Sequence, residues 1–494
     1  MRILIITGVV WISQLFGAGV YAITTYNDFE LAKLTWFLKQ ESAERGVMNF
    51  EQLGLNTMEN INWATVPGLR WNSVTMYLEW IEWDRKKLSG NLDLSDFEGL
   101  KYVYCTFNDL KSINFKNSAA LIKADLYTND LRSIDVTTNP EIDFLRVGYN
   151  NISSIDLSNN PKLGFFCCTA NQFEFLKLSN NNRLYSLTCV GNQLHTLILE
   201  DCDELETVSC DYNFLTSLNL NNLSGLQSIS CTFNLLNELH FNNCPALESV
   251  TCSNNEITGL DFSFQKKLKE IYCERNLMTS LNVEGCEGLT TVYCNYNLLE
   301  NLDVSSSPLL SSLSCKYNNL TLLTLPHPRP QLKYSYMPQN NLAIERKYDS
   351  IDFRDFYNIN NSISTFRWTY MSVPVVPLES NEGFFAFDES NIGKTFICQM
   401  HNSILPDLWL QYDVTFTQDD TGNRNPQNAG LSVYAGEKTI HVVTASSAMV
   451  GIYSLQGVLQ VKRTVDAGHT AIPTGRGAYV VVVNDKSSYK VIVR

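Results

Sequence analysis

The sequence predicts a mostly β protein: a solenoid of 21-residue coils, preceded by a helical cap and followed by two small β-sandwich domains. Three observations support this prediction. An asparagine returns every 21 residues, apolar residues alternate on both sides of it, and the carboxy-terminal part consists of alternating strand-like segments separated by turn residues. A coil this short cannot bury its own apolar face, so neighbouring coils must stack to enclose a core.

The asparagine period is unbroken over eleven coils. The short amide side chain of asparagine suits a turn, because it hydrogen-bonds backbone groups that strand pairing leaves free. Stacked amides reach neighbouring coils as well. We therefore interpret these residues as a structural ladder. Its members are Asn108, Asn129, Asn150, Asn171, Asn192, Asn213, Asn234, Asn255, Asn276, Asn297 and Asn318.

The apolar pattern around each asparagine predicts two short strands per coil. In the coil of Asn213, Val208 and Cys210 precede the asparagine, and Leu218 and Leu220 follow it. Alternation with a period of two places these side chains inward and their neighbours outward. The resulting template is L-x-x-L-x-C-x-x-N-x-L-x-x-L-x-L.

This template resembles that of bacterial leucine-rich-repeat proteins, in which L-x-x-L-x-L-x-x-N-x-L is followed by L-D-L-x-x-N. The resemblance is clearest at residues 145–163 and 313–325 and extends over about half of the chain. It implies a leucine-rich-repeat solenoid, which we place at residues 92–345, after an N-terminal cap at residues 23–91. The motif indicates a fold and not a particular function.

Nine of the eleven residues that stand three positions before the asparagines are cysteines. Parallel strands lie about 4.8 Å apart, whereas the Cβ atoms of a good disulfide are about 3.8 Å apart. We therefore expect buried thiols that act as small apolar side chains. Cys167, beside Cys168, is expected to point outward and is the repeat thiol to test for reactivity.

The amino terminus predicts export. Residues 1–22 combine Arg2, an apolar run and Ala22 at a small-residue cleavage site, the pattern of a secretory signal peptide. A membrane anchor is the alternative interpretation of the apolar run. We expect an extracellular or cell-surface protein. The net charge of -14 argues against a nucleic-acid partner.

The cap is expected to begin with a helix after Asn27, with Leu31, Leu34 and Leu38 on one face. A group of tryptophans follows and is expected to form the core of the cap, with an aromatic binding site as the alternative. These residues are Trp63, Trp71, Trp80 and Trp83.

Residues 346–417 resemble an immunoglobulin-type sandwich in which Trp368 packs near Cys398, although the early strand offers no second cysteine. A polar linker is expected at residues 418–430. Residues 431–494 resemble the C-terminal sorting domains of Bacteroidetes type IX secretion. That resemblance implies export machinery as a partner, and a β-sandwich without a sorting role is the alternative.

The sequence contains no recognisable catalytic motif. Its six histidines show no metal-ligand spacing, and no nucleophile elbow, phosphate loop or dinucleotide fingerprint occurs. We therefore expect no catalytic residue, metal or cofactor. A glycosidase is the alternative, because its two catalytic carboxylates can be far apart in the sequence. We interpret the acids of the repeat as solvated surface residues instead. These acids are Asp135, Asp156, Asp261 and Asp303.

Outward residues of the cysteine-bearing strands form the candidate ligand-binding face, because clustered exposed aromatic residues mark contact sites. Rows of tyrosine and threonine that only stabilise a sheet are the alternative. We expect a monomeric binding or adhesion protein with a protein or glycan ligand; a structural envelope component and a hydrolase are the other hypotheses. The candidate residues are Tyr102, Tyr104, Tyr127, Phe144, Arg146, Phe165, Tyr272 and Tyr293.

Overall fold

The computed structural model describes residues 26–200, 202–263, 265–347, 349–417, 431–436, 439–444, 446–454, 458–474, 477–484 and 487–493. The expected signal peptide and the expected linker lie outside these residues. The chain divides into two compact units, Met1–Thr417 and Gln418–Arg494. Within the described ranges, no helix is both long enough and apolar enough to span a bilayer.

The protein is mostly β, and a leucine-rich-repeat solenoid occupies its middle. Each coil from Tyr102 to Ser335 contributes one strand to a single sheet, and each of these strands pairs in parallel with the strand 21 residues away. The fourteen strands in spatial order are Leu69–Trp71, Leu78–Glu82, Tyr102–Tyr104, Lys123–Asp125, Phe144–Arg146, Phe165–Cys167, Ser186–Thr188, Thr207–Ser209, Ser228–Ser230, Ser249–Thr251, Glu270–Tyr272, Thr291–Tyr293, Ser312–Ser314 and Lys333–Ser335.

The opposite wall of the solenoid is less regular. Only some coils form strands there, and these strands pair two by two while the other coils pass as turns. The apolar residues of both walls meet in one continuous core between them. The paired strands are Ser89–Asp93 with Asp109–Asn114, Phe175–Leu178 with Thr196–Leu199, and Gly259–Asp261 with Ser280–Asn282.

The asparagines join consecutive coils. Asn213 Nδ2 donates to the carbonyl oxygen of Cys189 in the preceding coil at 3.1 Å and to that of Cys210 in its own coil at 3.0 Å. The backbone N–H of Leu194 donates to Asn213 Oδ1 at 3.0 Å. The same set of contacts recurs from Asn150 to Asn318. Each amide therefore satisfies buried backbone groups that the turn leaves unpaired, in two coils at once.

The ladder ends in a glutamine. Gln339 stands 21 residues after Asn318, and its Nε2 donates to the carbonyl oxygen of Cys315 at 3.0 Å, as an asparagine would. The next strand, Leu342–Lys347, pairs with Trp409–Thr417 and not with the solenoid. The solenoid sheet therefore ends before Leu342, slightly earlier than the boundary expected at residue 345.

All fourteen cysteines are buried thiols that are not joined in disulfides. In the column that precedes the asparagines, burial raises the pKa of each thiol, to about 12 for Cys252 and Cys315. A thiol with so high a pKa stays protonated at neutral pH and is a poor nucleophile. These side chains therefore fill space between the two walls, as apolar residues do at the same position in the coils of Leu126 and Val147.

The cap covers the open amino-terminal end of the solenoid. Its first helix, Asp28–Leu38, begins after Asn27, whose Oδ1 accepts hydrogen bonds from the N–H groups of Phe29 and Glu30. A second helix, Asn49–Gln52, and a 3₁₀ turn, Trp63–Thr65, follow. Strands Leu69–Trp71 and Leu78–Glu82 form an antiparallel hairpin that pairs with the first solenoid strand, so that strand's backbone groups are covered.

The expected helix face is partly different in the structure. Leu34 and Leu38 are buried, whereas Leu31 is only half-buried and Phe37 takes its place. Trp83 is fully buried and stacks on Phe37. The other three tryptophans of the expected cap core, Trp63, Trp71 and Trp80, are only half-buried.

After the solenoid, two sheets share an aromatic core. Trp368 packs against Phe385 and Phe387 of the facing sheet and stands opposite Cys398 on the neighbouring strand. The five-stranded sheet contains Leu342–Lys347, Trp409–Thr417, Thr395–His401, Thr365–Tyr370 and Val373–Pro374. The second sheet contains Ser350–Asp352, Phe384–Ala386 and Glu379–Asn381. A short hairpin joins Asn358–Ile359 and Ser362–Ile363, and 3₁₀ turns lie at Arg354–Phe356 and Glu389–Asn391.

The second unit consists of two antiparallel sheets around a core of aliphatic residues, among them Ile440, Val450 and Val481. One sheet contains Leu431–Gly436, Thr439–Thr444 and Gly468–Pro473. The other contains Leu459–Val465, Ala448–Ser454, Gly477–Val483 and Ser487–Val493.

Candidate binding surfaces

The outer face of the solenoid sheet carries most of the predicted binding residues. In each three-residue strand the middle side chain points into the core and the two flanking side chains point out. Strand register therefore aligns Tyr102 and Phe144 with Phe165 in one column, and Tyr104 with Arg146 in the next. Tyr127 lies just beyond its strand, at the start of the turn.

At the amino-terminal end these rings pack against one another. Tyr102 and Tyr104 lie 4.8 and 5.1 Å from Trp80, and Phe144 stacks on Phe165 at 4.6 Å between ring centroids. All of these side chains are half-buried. We call this group the aromatic face, which consists of Trp80, Tyr102, Tyr104, Tyr127, Phe144 and Phe165. Trp80 was expected in the cap core, and its strand register with Tyr102 places it here instead.

Charged groups on the aromatic face are paired. The Arg146 guanidinium lies 3.8 Å from the centre of the Tyr127 ring, and its Nη1 is 3.3 Å from Asp125 Oδ2. Burial raises the pKa of the Asp125 carboxyl above its usual range, although Arg146 acts against that shift. The pair thus holds a partly desolvated carboxylate and guanidinium within an aromatic surface.

A shallow groove of about 270 Å³ opens beside Phe144. Gly164 lies in its lining, where the Tyr185 ring packs so closely that a Cβ atom at this position would come within 2.9 Å of it. The charged side chains of the lining are the cations Lys123, Lys162 and Arg183 and the acids Asp143 and Glu204. The aromatic face therefore continues into a groove with both apolar and charged walls.

Tyr272 and Tyr293 are separated from the aromatic face. They pair with each other in register, with ring centroids 5.4 Å apart. Four strands whose outward residues are all serine or threonine lie between them and Phe165. At about 4.8 Å per strand this is a gap of roughly 24 Å. The eight predicted residues therefore form two groups on one face.

Cys167 is outward in the strand register, as expected, but it is not an exposed thiol. Its side chain takes an outward position in the strand register, beside Arg146 and Thr188, but only 7% of its surface is exposed. Its Sγ lies 3.6 Å from Thr169 Oγ1. The adjacent coils carry Arg146 and Thr188 at this position, and little surface of the thiol is left exposed between them.

A second surface was not found from the sequence. The residues immediately before and after each asparagine form two files along the turn, as shown by their repeated hydrogen bonds to adjacent coils. In the carboxy-terminal half of the solenoid these files expose large apolar side chains. We call this surface the turn ridge, which consists of Tyr212, Phe214, Phe233, Leu235, Leu277, Tyr296 and Leu298.

The file before the asparagine has an unusual backbone. Each of its eleven residues has a positive φ, for example 55° at Tyr212 and at Phe233 and 57° at Tyr296. That region favours glycine and asparagine and disfavours bulky side chains. Six of the eleven residues are nevertheless phenylalanine or tyrosine. Aromatic residues that recur at a position preferring small polar ones are the signal in the sequence that indicates this surface.

The structure gives the repeat acids a local role. Ser158 donates to the carboxylate of Asp156, Thr137 to that of Asp135 and Ser305 to that of Asp303. These hydrogen bonds lower the pKa of all three carboxyls. A general acid needs the opposite shift, so these groups act as turn caps.

Two histidines that are distant in sequence meet in the second unit. His441 Nδ1 lies 2.7 Å from His469 Nε2 across the strands Thr439–Thr444 and Gly468–Pro473. Over the described ranges, the structure groups no three histidine, cysteine or acidic side chains in the way a metal site requires.

The repeat and the strand register define the fold as a leucine-rich-repeat solenoid. No family model matches the sequence, and no curated protein matches it. Solved structures are similar to parts of it, and the class itself rests on the 21-residue repeat and the strand register described above.

The chain is similar to the functional domain of InlJ from Listeria monocytogenes, which is described as including a cysteine ladder, at 18% identity, covering 67% of this chain and 90% of that one with a TM-score of 0.37. It is similar to YopM, a leucine-rich effector protein from Yersinia pestis, at 22% identity, covering 49% of this chain and 74% of that one with a TM-score of 0.41. It is also similar to the leucine-rich repeat domain of APL1B, at 20% identity, covering 48% of this chain and 80% of that one with a TM-score of 0.41.

Proposed function

We propose that the chain is an exported binding protein that takes a protein ligand on the aromatic face. One observation carries this proposal: six aromatic side chains and a paired arginine stand on consecutive coils of one outward face, beside a groove whose walls carry charges of both signs. Aromatic residues and arginine are the side chains that contribute most to binding energy at protein interfaces.

The rest of the solenoid supports this assignment. The coil frame is built from inward apolar residues and the asparagines, and it places no demand on the outward positions. Four coils in the middle of the sheet carry only serine and threonine there. The aromatic residues of the first coils are therefore not needed to form a strand, and their half-buried rings are already ordered before a ligand arrives.

A glycan is the other ligand class, because sugars also stack on aromatic rings. The basic and acidic side chains of the groove wall and the partly desolvated Arg146–Asp125 pair favour a partner with charged groups of both signs, which a protein offers. We infer export to the cell surface or the medium from residues 1–22 and from the resemblance of residues 431–494 to sorting domains.

The test is binding by the purified full-length chain to protein and glycan arrays, followed by affinity measurement for the ligand found. Tyr104→Ala combined with Phe144→Ala should weaken binding at least tenfold, since each ring is a central contact. The matched control is Ser228→Ala with Ser249→Ala, on the same face in the middle of the sheet, which should leave affinity unchanged.

Equal affinity of the aromatic-face variant and the wild type would remove this face from the proposal. Ligands found only on the glycan array would replace the protein ligand by a sugar. If no ligand were found and deletion of the chain weakened the cell envelope, the structural hypothesis would take its place. Turnover of a ligand, abolished by replacing one acid, would instead establish a hydrolase.

A further inference from the structure

The turn ridge exposes apolar side chains in four of five successive coils, in two groups separated by the coil of Asn254 and Glu256. The exposed fraction is 58% for Tyr212, 49% for Leu277 and 44% for Phe233. Neighbouring rings stack along it, with Tyr212 and Phe233 4.6 Å apart and Tyr296 4.4 Å from Tyr317. Large apolar side chains exposed together along one edge of a protein mark an interaction site.

The coil does not need these side chains. Gly191 and Asn254 occupy the same position as Tyr212 in other coils and keep the same positive φ. The ladder hydrogen bonds of Asn192 and Asn255 in those coils match those beside the aromatic residues. Because bulky residues are disfavoured at this backbone conformation, their repeated use points to a role outside the frame.

The charges beside the ridge are mostly negative. Asp211, Glu256, Glu274 and Glu300 lie on or next to its two files, against the cations Arg275 and Lys316. In the part of the chain that the structure describes, none of these four acids forms an ion pair. The carboxylates of Asp211 and Glu274 accept hydrogen bonds from the hydroxyl groups of Ser230 and Ser253, whereas Glu256 and Glu300 are exposed. Arg275 is itself engaged, with its guanidinium 4.6 Å from the Tyr296 ring. An apolar strip with unpaired acids beside it is complementary to apolar side chains flanked by lysine or arginine.

We propose that the turn ridge is a second docking surface, which binds an apolar segment of a partner protein flanked by basic residues. The ridge runs over four coil spacings from Tyr212 to Leu298, which is about 19 Å. An α-helix of that length has about thirteen residues and presents an apolar stripe of similar size. This surface lies on the turn, outside the outward positions of the sheet, so the proposal does not depend on the ligand of the aromatic face.

The probe is a labelled 15-residue amphipathic helical peptide of leucine and lysine, titrated against the full-length chain by fluorescence anisotropy. We expect saturable binding that weakens with added salt. The variant Tyr212→Asn, Phe233→Asn, Tyr296→Asn should weaken it at least tenfold. Asparagine suits a positive φ, so this variant should keep the wild-type Tm. Leu309→Ser, which removes an equally exposed apolar side chain elsewhere, is the matched control.

A second pair of variants tests the charges. Glu256→Gln with Glu300→Gln should weaken binding of the lysine peptide several-fold, whereas Glu284→Gln with Glu287→Gln, exposed acids on another edge of the coil, should not. A peptide with glutamate in place of lysine should bind more weakly than the lysine peptide.

Three results would overturn the proposal: no saturable binding of the lysine peptide, equal affinity for the wild type and the asparagine variant, or equal affinity for the lysine and glutamate peptides. Concentration-dependent dimerisation that the asparagine variant abolishes would assign the ridge to a second copy of the chain instead. Tyr104→Ala with Phe144→Ala should leave peptide binding unchanged, which separates failure of this proposal from failure of the aromatic face.

Discussion

The aromatic face and the turn ridge are built on the same coil but differ in almost every respect. On the aromatic face the rings are half-buried, pack on each other across strands and surround an ion pair. On the turn ridge the rings are exposed, stand on a disfavoured backbone and lie beside unpaired acids. The comparison shows that the frame leaves its outward positions free, so that each part of the solenoid can carry its own surface.

If the frame is uniform, breaking it should have the same effect beneath either surface. Asn150→Ala and Asn234→Ala each remove hydrogen bonds to two coils and leave buried carbonyl groups without a donor. Each should lower the free energy of unfolding by about 2 to 4 kcal/mol. Urea unfolding measures this, and Asn237→Ala, at an exposed position, is the control. A large effect at only one of the two sites would mean that the frame itself differs between the two regions.

The amino-terminal end should respond to pH through Glu30. Its buried carboxylate accepts a hydrogen bond from the N–H of Leu78 at 2.9 Å, and burial raises its pKa from 4.5 to about 7. The folded state therefore binds this proton more tightly than the unfolded state. The stabilising contribution is greatest below pH 4.5 and is lost as pH rises to about 7.

The cap should consequently be less stable at pH 8 than at pH 4.5 by about 2 kcal/mol, a difference that Glu30→Gln should abolish. Hydrogen exchange of the cap amides measures the change, and amides in the coils under the turn ridge provide the internal control. An identical pH dependence in the wild type and the glutamine variant would show that Glu30 is not the responsible group.

The smallest expected effect separates the two surfaces most directly. Replacing Tyr212 and Phe233 by asparagine should leave stability unchanged or raise it by about 1 kcal/mol, since it relieves the positive φ. Phe144→Ala should instead destabilise the chain by about 1 kcal/mol, because it removes a half-buried stacked ring. Thermal unfolding compares the two. A marked loss of Tm in the asparagine variant would mean that the ridge residues serve the frame.

Local pattern determined much of this architecture. The unbroken period of the asparagines and the alternation around them specify which side chains point inward, since a coil that cannot bury its own face must stack. Asn27 likewise marks the start of the first helix, because its side chain completes the hydrogen bonds of the first turn. Such features depend on residues close in sequence or separated by a whole period.

Tertiary structure decided what each outward residue does. Cys167 is outward in register but only 7% exposed, and Trp80 belongs to the aromatic face because its strand pairs with that of Tyr102. The turn ridge is exposed on both sides of the asparagines, and only the residues before them have a left-handed backbone. The burial of an outward side chain depends on the size and direction of its neighbours one coil away, and alternation along a single strand separates inward from outward positions without specifying those neighbours.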